Sequence, residues 1–300
     1  MSTIQAYTTA TRPSASASNV GLTIFNTTDK SINVSDGASW RGYAYDGAAA
    51  QAISNSYNLS FDGNSDIVNL GVLNSLLDDY TNSVSVWFKL DSATDTDPYH
   101  LFGLDNASAS TRGIRVLKFY DTGALKHGLE FSVYDDDSGA SYLYEQIRCE
   151  ITPDTDWHNV VATHYIDPSN AANNRLKLYY DGQELTPYDE QAAGTLNALA
   201  KPSSLNYTVG ARNTTSPALI FEGDIDEVAF WDVELDAANA AQIYNSFGGG
   251  KPFDLSSNAG DYNQSANLQG WWRFENNGND ETGNSSAATV SGATYVSNTL

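Results

Sequence analysis

Acidic residues outnumber Lys and Arg by 37 to 15 in this 300-residue chain, a net charge of −22 at neutral pH. So few cations rule out the clustered phosphate contacts of a nucleic-acid binder and a grip on an anionic membrane surface. The 18 Tyr, 11 Phe and 6 Trp favour strands over helices, and 41% hydrophobic residues suffice for a core. Residues 1–20 are rich in Ser, Thr and Ala and show neither the basic stretch nor the apolar stretch of a secretory leader. No apolar run approaches the ~18–20 residues a membrane span needs. In "GLTIFNTTDKSINVSDGASW", Leu22 and Ile24, then Ile32 and Val34, mark two short alternating strands, with "NTTDK" and "SDG" as turns. This hairpin is marginal alone and needs a partner surface. "RGYAYDGAAAQAISNS" is linker-like.

From Tyr57 the chain is a series of strand candidates: "YNLSF", "DIVNL", "SVSVWFKL", "GIRVLKFY", "GLEFSVYD", "YLYEQIRCEI", "HNVVATHYI", "RLKLYYDG", "NYTVGAR" and "GDIDEVAFW". In "SVSVWFKL" the alternation puts Val84, Val86, Phe88 and Leu90 on one face and Ser85, Trp87 and Lys89 on the other. Many short strands joined by Asp/Asn/Gly turns predict an all-β sandwich or barrel. One short helix is expected in "ELDAANAAQIYNSFGGG", with Asp236 as N-cap and Gly248–Gly250 as its stop. "LQGWWRFENNGNDETGNSSAATVSGATYVSNTL" adds two or three further strand candidates. The single cysteine, Cys149, has no partner for an intrachain disulfide.

Five segments, "YNLSFDGNSDIVNLG", "SVSVWFKLD", "DWHNVVATHY", "LKLYYDGQEL" and "FEGDIDEVAFWDVELDAANAAQIYN", occur in an order that resembles the laminin-G-like branch of the concanavalin-A-like lectin/glucanase superfamily. The resemblance covers roughly Tyr57 to Phe247. It implies a two-sheet antiparallel jelly-roll with one concave sheet. "GWWRFENNGNDETG", which usually precedes the "LSFDG" strand in such domains, here follows the closing strand. Either the domain is circularly permuted or this is the remnant of a second copy. About 30 residues cannot make a second domain, which favours permutation. The expected organisation is an N-terminal arm and hairpin over residues 1–50 and a jelly-roll over 55–300, with 268–300 completing the sandwich.

"TRPSASASNVGLTIFNTTDKSINVSDGASWRGY" is similar to the N-terminal module of structural proteins of tailed bacteriophages. The resemblance implies a virion protein, a tail appendage or head decoration, bound to other virion proteins through residues 1–50. It also implies self-association as a trimer and a surface-exposed domain facing glycans. A virus particle, released by lysis, also reconciles an extracellular-looking composition with the missing leader.

Two chemistries compete for "FEGDIDEV". Glu222, Asp224 and Glu227 match the E-x-D-x-x-E spacing of laminarinase-like glucanases, where two acids flank the scissile bond about 5–5.5 Å apart. Strand alternation sets Glu227 opposite Glu222 and Asp224 unless a bulge intervenes, and Ile225, Val228 and Phe230 also break a period of two. The same segment is also how laminin-G-like domains end without catalysis, and no enzymatic activity is assigned on this reading. Asp226, with Asp62 as companion, resembles the aspartates that hold a structural Ca2+ in related jelly-rolls; otherwise both cap turns. His158 and His164 read as packed strand residues, with no nucleophile motif nearby. "YDDDSG" at 134–139 reads as a solvated hairpin tip, and Tyr99, Trp40, Trp271 and Trp272 as core aromatics more than sugar platforms.

Overall fold

The structure, a computed structural model, describes residues 53–105, 112–135, 143–201, 206–212, 217–245 and 251–297, together with short pieces of the first 44 residues. The chain divides into two compact units, residues 1–51 with 258–261, and residues 52–257 with 262–300. In the first, β1 (Gln5–Tyr7), β2 (Thr23–Asn26), β3 (Ser31–Ser35) and β4 (Trp40–Ala44) form one sheet in that order. The expected hairpin is β2–β3, paired antiparallel with Ile24 opposite Asn33. Its neighbours differ from expectation. The low-complexity arm supplies β1, which runs parallel to β2, and the linker-like segment supplies β4. Residues 27–30, most of the expected "NTTDK" turn, lie outside the described residues.

The second unit is a sandwich of two sheets. Its strands are β5 (Tyr57–Asp62), β6 (Ile67–Gly71), β7 (Thr81–Leu90), β8 (Tyr99–Asp105), β9 (Arg112–Asp121), β10 (Lys126–Asp135), β11 (Leu143–Glu150) and β12 (Trp157–Tyr165). They continue with β13 (Arg175–Tyr180), β14 (Gln183–Glu184), β15 (Pro187–Ala193), β16 (Tyr207–Val209), β17 (Glu222–Trp231), β18 (Leu268–Trp272), β19 (Thr289–Ser291) and β20 (Thr294–Ser297). One sheet has the order β15-β11-β10-β9-β8-β16-β6-β19. The other has β14-β13-β12-β7-β17-β5-β20, with β18 paired to β17. All pairings in this unit are antiparallel, so the architecture is the expected all-β jelly-roll sandwich.

Alternation drives the layering. Val84, Val86, Phe88 and Leu90 enter the core, where they meet Ile114, Val116, Leu129, Phe131, Val133 and Ile147 of the facing sheet. The other side of β7 is not left to water. Trp87 stacks on Tyr244 of helix α1 (Ala237–Asn245) at 5.8 Å, and Trp231 donates to the hydroxyl of Tyr262 at 2.9 Å. Asp236 caps α1 as expected, accepting from the Asn239 N–H at 2.8 Å. Among the described residues no helix is long and apolar enough to cross a membrane.

The C-terminal segment enters both sheets. β18 lies against β17, β20 against β5, and β19 against β6. "GWWRF" thus packs inside the same sandwich: Trp272 stacks on Phe230 at 6.0 Å. Strands β8 and β15 fall in segments without a sequence-level strand signal. Gly103 interrupts the first at φ +150, and the second is half acidic and amide side chains with Pro187 at its start.

Candidate functional site

The register of β17 decides most of the expectations placed on it. Asp226 lies opposite Trp87, and the next paired residue, Ala229, lies opposite Ser85. β17 therefore carries one residue more than β7 across this interval, which is a β-bulge. Glu227 sits in it with φ 47. The bulge resets the alternation, so Ile225, Val228 and Phe230 all reach the core. It also leaves Asp226 and Glu227 together on the side covered by α1 and residues 252–255, where Glu227 lines a small void with Trp87, Ile243 and Phe253.

Both carboxylates are fully buried. Glu227 accepts from the Trp271 indole N–H at 2.6 Å and from Arg273 Nε at 3.0 Å. Asp226 accepts from the Asn55 amide at 3.0 Å and from the Glu227 N–H at 2.9 Å. Burial raises Glu227 to about 7 against the pull of Arg273 and Trp271. It raises Asp226 well above the usual carboxylate range, helped by the adjacent Glu227 charge. Burial and the closeness of the two acids favour a shared proton on the pair.

This arrangement corrects two expectations. Glu222 is exposed and pairs with Asp62 at the far end of β17, five residues from Glu227. At ~3.3 Å per residue they stand roughly 15 Å apart, against the 5–5.5 Å of a retaining pair. Asp224, half-buried and raised by burial, lies between Ser60 and Lys89 and does not close that gap. The alternative glucanase constellation of Glu222, Asp224 and Glu227 is therefore not assembled.

The calcium expectation meets the same register. Asp62 sits opposite Glu222, and Asp226 is four residues further along β17, so the two aspartates cannot share one ion. Asp62 instead caps its own turn, accepting from the Asn64 N–H at 2.9 Å. Among the described residues no group of three or more His, Cys, Asp or Glu side chains is placed to hold a metal. With Asp62 and Asp226 held apart, no EDTA-sensitive loss of melting temperature is expected from this pair. A drop of several degrees would locate a structural ion away from this pair.

The remaining candidates are structural. His158 is gripped at both ring nitrogens, Nδ1 by Asp181 at 2.7 Å and Nε2 by Asp154 at 2.9 Å, and stacks on Tyr180 at 4.8 Å. Burial opposes its charge, but the two carboxylates outweigh that and raise it above the ordinary histidine value. His164 is sealed beside Asn82 at 3.1 Å, and burial lowers it to about 3, which keeps it neutral. Trp271, Trp272 and Tyr99 are interior. Cys149 is free and buried, its thiol pushed up to about 12 by burial. The side chain of Trp40 and the 136–139 part of the acidic turn lie outside the described residues.

A charged group that the sequence did not single out lies on the outward side of β9, β10 and β11. There Arg115, Glu130, Ser132, Gln146 and Arg148 alternate with the core residues Ile114, Val116, Leu129, Phe131 and Ile147. Glu130 stands directly opposite Arg148, and Ser132 opposite Arg115. The Glu130 carboxylate is the hub. One oxygen pairs with Arg115 and accepts from Ser132 Oγ at 3.2 Å; the other accepts Arg148 Nε at 3.0 Å and Nη2 at 2.9 Å. Gln146 completes the group: with its amide turned to satisfy both ends, its nitrogen lies 3.3 Å from Glu130 and its oxygen 3.2 Å from Arg148 Nε. Aromatic rings brace the cations: Arg112 and Arg115 over Tyr134 at 5.3 and 5.7 Å, and Arg148 over Phe119 at 5.0 Å. Arg148 also reaches Asp189 of β15 at 3.5 Å. These charges sit in a fixed array of donors, acceptors and ring faces with little side-chain freedom left to lose on binding.

Residues 62–241, more than half of the chain, match a laminin G family model described as the concanavalin A-like lectin/glucanases superfamily, and the chain belongs to that superfamily. A comparison with curated proteins gives no match. Among solved structures, the chain is similar to a protein of Bacteroides ovatus ATCC 8483 provisionally assigned to carbohydrate binding, with 15% identity and a TM-score of 0.48 over 84% of this chain. The match spans 60% of the length of that protein. It is also similar to the CBM40 module of a Ruminococcus gnavus sialidase bound to α2,3-sialyllactose (13% identity, TM-score 0.43, 62% of this chain and 97% of that one). Domains LG4-5 of the mouse laminin α1 chain match with 15% identity and a TM-score of 0.37 over 69% of this chain and 50% of that one. These are likenesses of fold, and no site is carried over from them.

Proposed function

We propose that this is a bacteriophage virion structural protein whose sandwich is a non-catalytic, glycan-contacting module. Residues 1–50 attach it to other virion proteins, and it self-associates as a trimer on the particle surface, in a tail appendage or head decoration. The observation that carries the glycan reading is the Arg115–Glu130–Arg148 network on the outward side of the sheet. A stability role alone is poorly served by two charges largely taken out of water and a third partly so, since well-packed apolar residues do as well or better. A polyhydroxylated ring, by contrast, needs fixed donors and acceptors beside aromatic faces. The virion reading is supported by the resemblance of the N-terminal segment to phage structural modules.

Arg148 is the accessible member, with 28% of its side chain exposed. Its replacement by alanine leaves Glu130 paired with Arg115. Arg148→Ala is expected to weaken binding to whichever polysaccharide a glycan array selects by tenfold or more, with a lower melting temperature but the fold retained. Equal binding by wild type and variant would remove this face as the site. Antibody against residues 55–300 applied to intact virions tests placement by electron microscopy. Label on the tail supports host recognition, and label over the head supports decoration. Unlabelled particles would overturn the virion reading.

A further inference from the structure

A second polar recess lies on the flank of the sandwich. A cleft of about 480 Å³ opens between β11 and β15 on one wall and residues 171–176 on the other. That volume lies within the ~300–1,000 Å³ of small-molecule sites. Register fixes what its first wall presents. Glu145 stands opposite Ala192, and Ile147 opposite Glu190. Cross-strand partners point to the same side of a sheet, so all four side chains share the inward side, that of the core residue Ile147.

The second wall brings Leu176, packed against the core, and Asn174. Asn174 is locked: its oxygen accepts from the Asp167 N–H at 2.7 Å, and its nitrogen donates to Glu145 at 2.7 Å. The Glu145 carboxylate is thereby held in place at a half-buried position. Arg175 also borders the cleft, but its charge is engaged elsewhere, on Glu234 at 2.8 Å and over the Tyr165 ring at 4.1 Å. Among the described residues neither Glu145 nor Glu190 has a salt-bridge partner. The recess thus combines an apolar floor of Ile147 and Leu176 with a fixed carboxylate, a second carboxylate and the amide of Asn174.

We infer that this cleft binds a saccharide carrying a free amine, an unsubstituted amino sugar, with the ammonium between Glu145 and Glu190 and the ring against Ile147 and Leu176. The inference rests on the glycan-contact reading but uses a different surface from the Glu130 network. An apolar floor with a polar rim matches a pyranose ring, whose C–H faces are apolar and whose edge donates and accepts. Two carboxylates without a protein cation select for positive charge.

The test is calorimetric titration of the full chain with glucosamine, N-acetylglucosamine, glucose and methylammonium. Glucosamine is expected to bind at least tenfold more tightly than the other three. Glu145→Gln and Glu190→Gln should each weaken it tenfold or more. Glutamine at 145 can still accept from Asn174, so the wall should keep its shape. Equal affinity for N-acetylglucosamine or glucose would overturn the charge selection, and equal affinity for methylammonium the saccharide class. Absence of glucosamine binding, or indifference to both variants, would remove the site. A polysaccharide whose binding needs Arg148 but not Glu145 would preserve the proposed function while this inference fails. Glucosamine binding without any Arg148-dependent glycan would do the reverse.

Discussion

Replacing Arg273 by alanine is expected to destabilise the sandwich by about 3–5 kcal/mol, the usual consequence of leaving a buried charge without its partner. Arg273 forms an ion pair with Glu227 of the buried pair. It donates to Glu227 at 3.0 Å and to the Ser54 carbonyl, so it also ties residue 54 to the bulge. Glu275 grips the same stretch, accepting from the Ser56 and Tyr57 N–H groups at 2.8 and 3.3 Å. With Arg273 gone, Glu227 keeps only the Trp271 indole and must either lose its charge or take water into the interior. Urea unfolding of the single variant and of the double variant Arg273→Ala/Glu227→Gln measures this. The double variant should recover a large part of the loss, because it removes the stranded charge. A loss below about 1 kcal/mol in the single variant would mean that the pair is not held as an ion pair in the folded state.

The second large effect is on pH. Glu227 is raised to about 7 and Asp226 in the same direction, both by burial. A carboxyl group whose folded value lies above its unfolded value stabilises most when protonated. Its contribution is fully present below the unfolded value near 4.5 and is lost as pH climbs through the folded value. His158, also raised, has the same sign: its contribution is present below the ordinary 6.5 and is lost as pH rises through its folded value. Carboxylates lowered by local hydrogen bonds, such as Asp154 and Asp167, act oppositely and cost stability only in strong acid. The fold should therefore be most stable in mild acid, and its melting temperature should rise as the pH falls from 8 to 5.5. For Glu227 alone the gain over this interval is on the order of 2 kcal/mol. Glu227→Gln should flatten the profile. A melting temperature that falls over this interval in the wild type would falsify the account of the buried pair.

Much of this was legible in the chain itself. The alternation of "SVSVWFKL" assigns Val84, Val86, Phe88 and Leu90 to the core, where they lie. The broken period of Ile225, Val228 and Phe230 signals the bulge that the register shows. What local pattern could not supply was cross-strand register. Glu222, Asp224 and Glu227 look like a catalytic spacing only while the bulge and the partners of β17 are unknown. The same gap hid the Glu130 network, since Arg115, Glu130 and Arg148 lie on three strands and meet only once β9, β10 and β11 are aligned. A signal did exist: each is a charge in the polar phase of an otherwise apolar strand, set among few cations. Strand β15 gave no such signal, because an edge strand needs only one neighbour and tolerates Asp, Glu and Gln.

The placement of residues 268–297 has a consequence for how the molecule is made. β18 lies along β17 in the interior of one sheet, while β19 and β20 close an edge of each. Synthesis runs from the other end, so every earlier strand leaves the ribosome before the partners that seal it exist. The sandwich must wait half-built, with the far side of β17 uncovered, until "GWWRF" emerges. Folding is then timed by translation of the last tenth of this sequence, and a premature stop there would forfeit the whole domain rather than trim its edge.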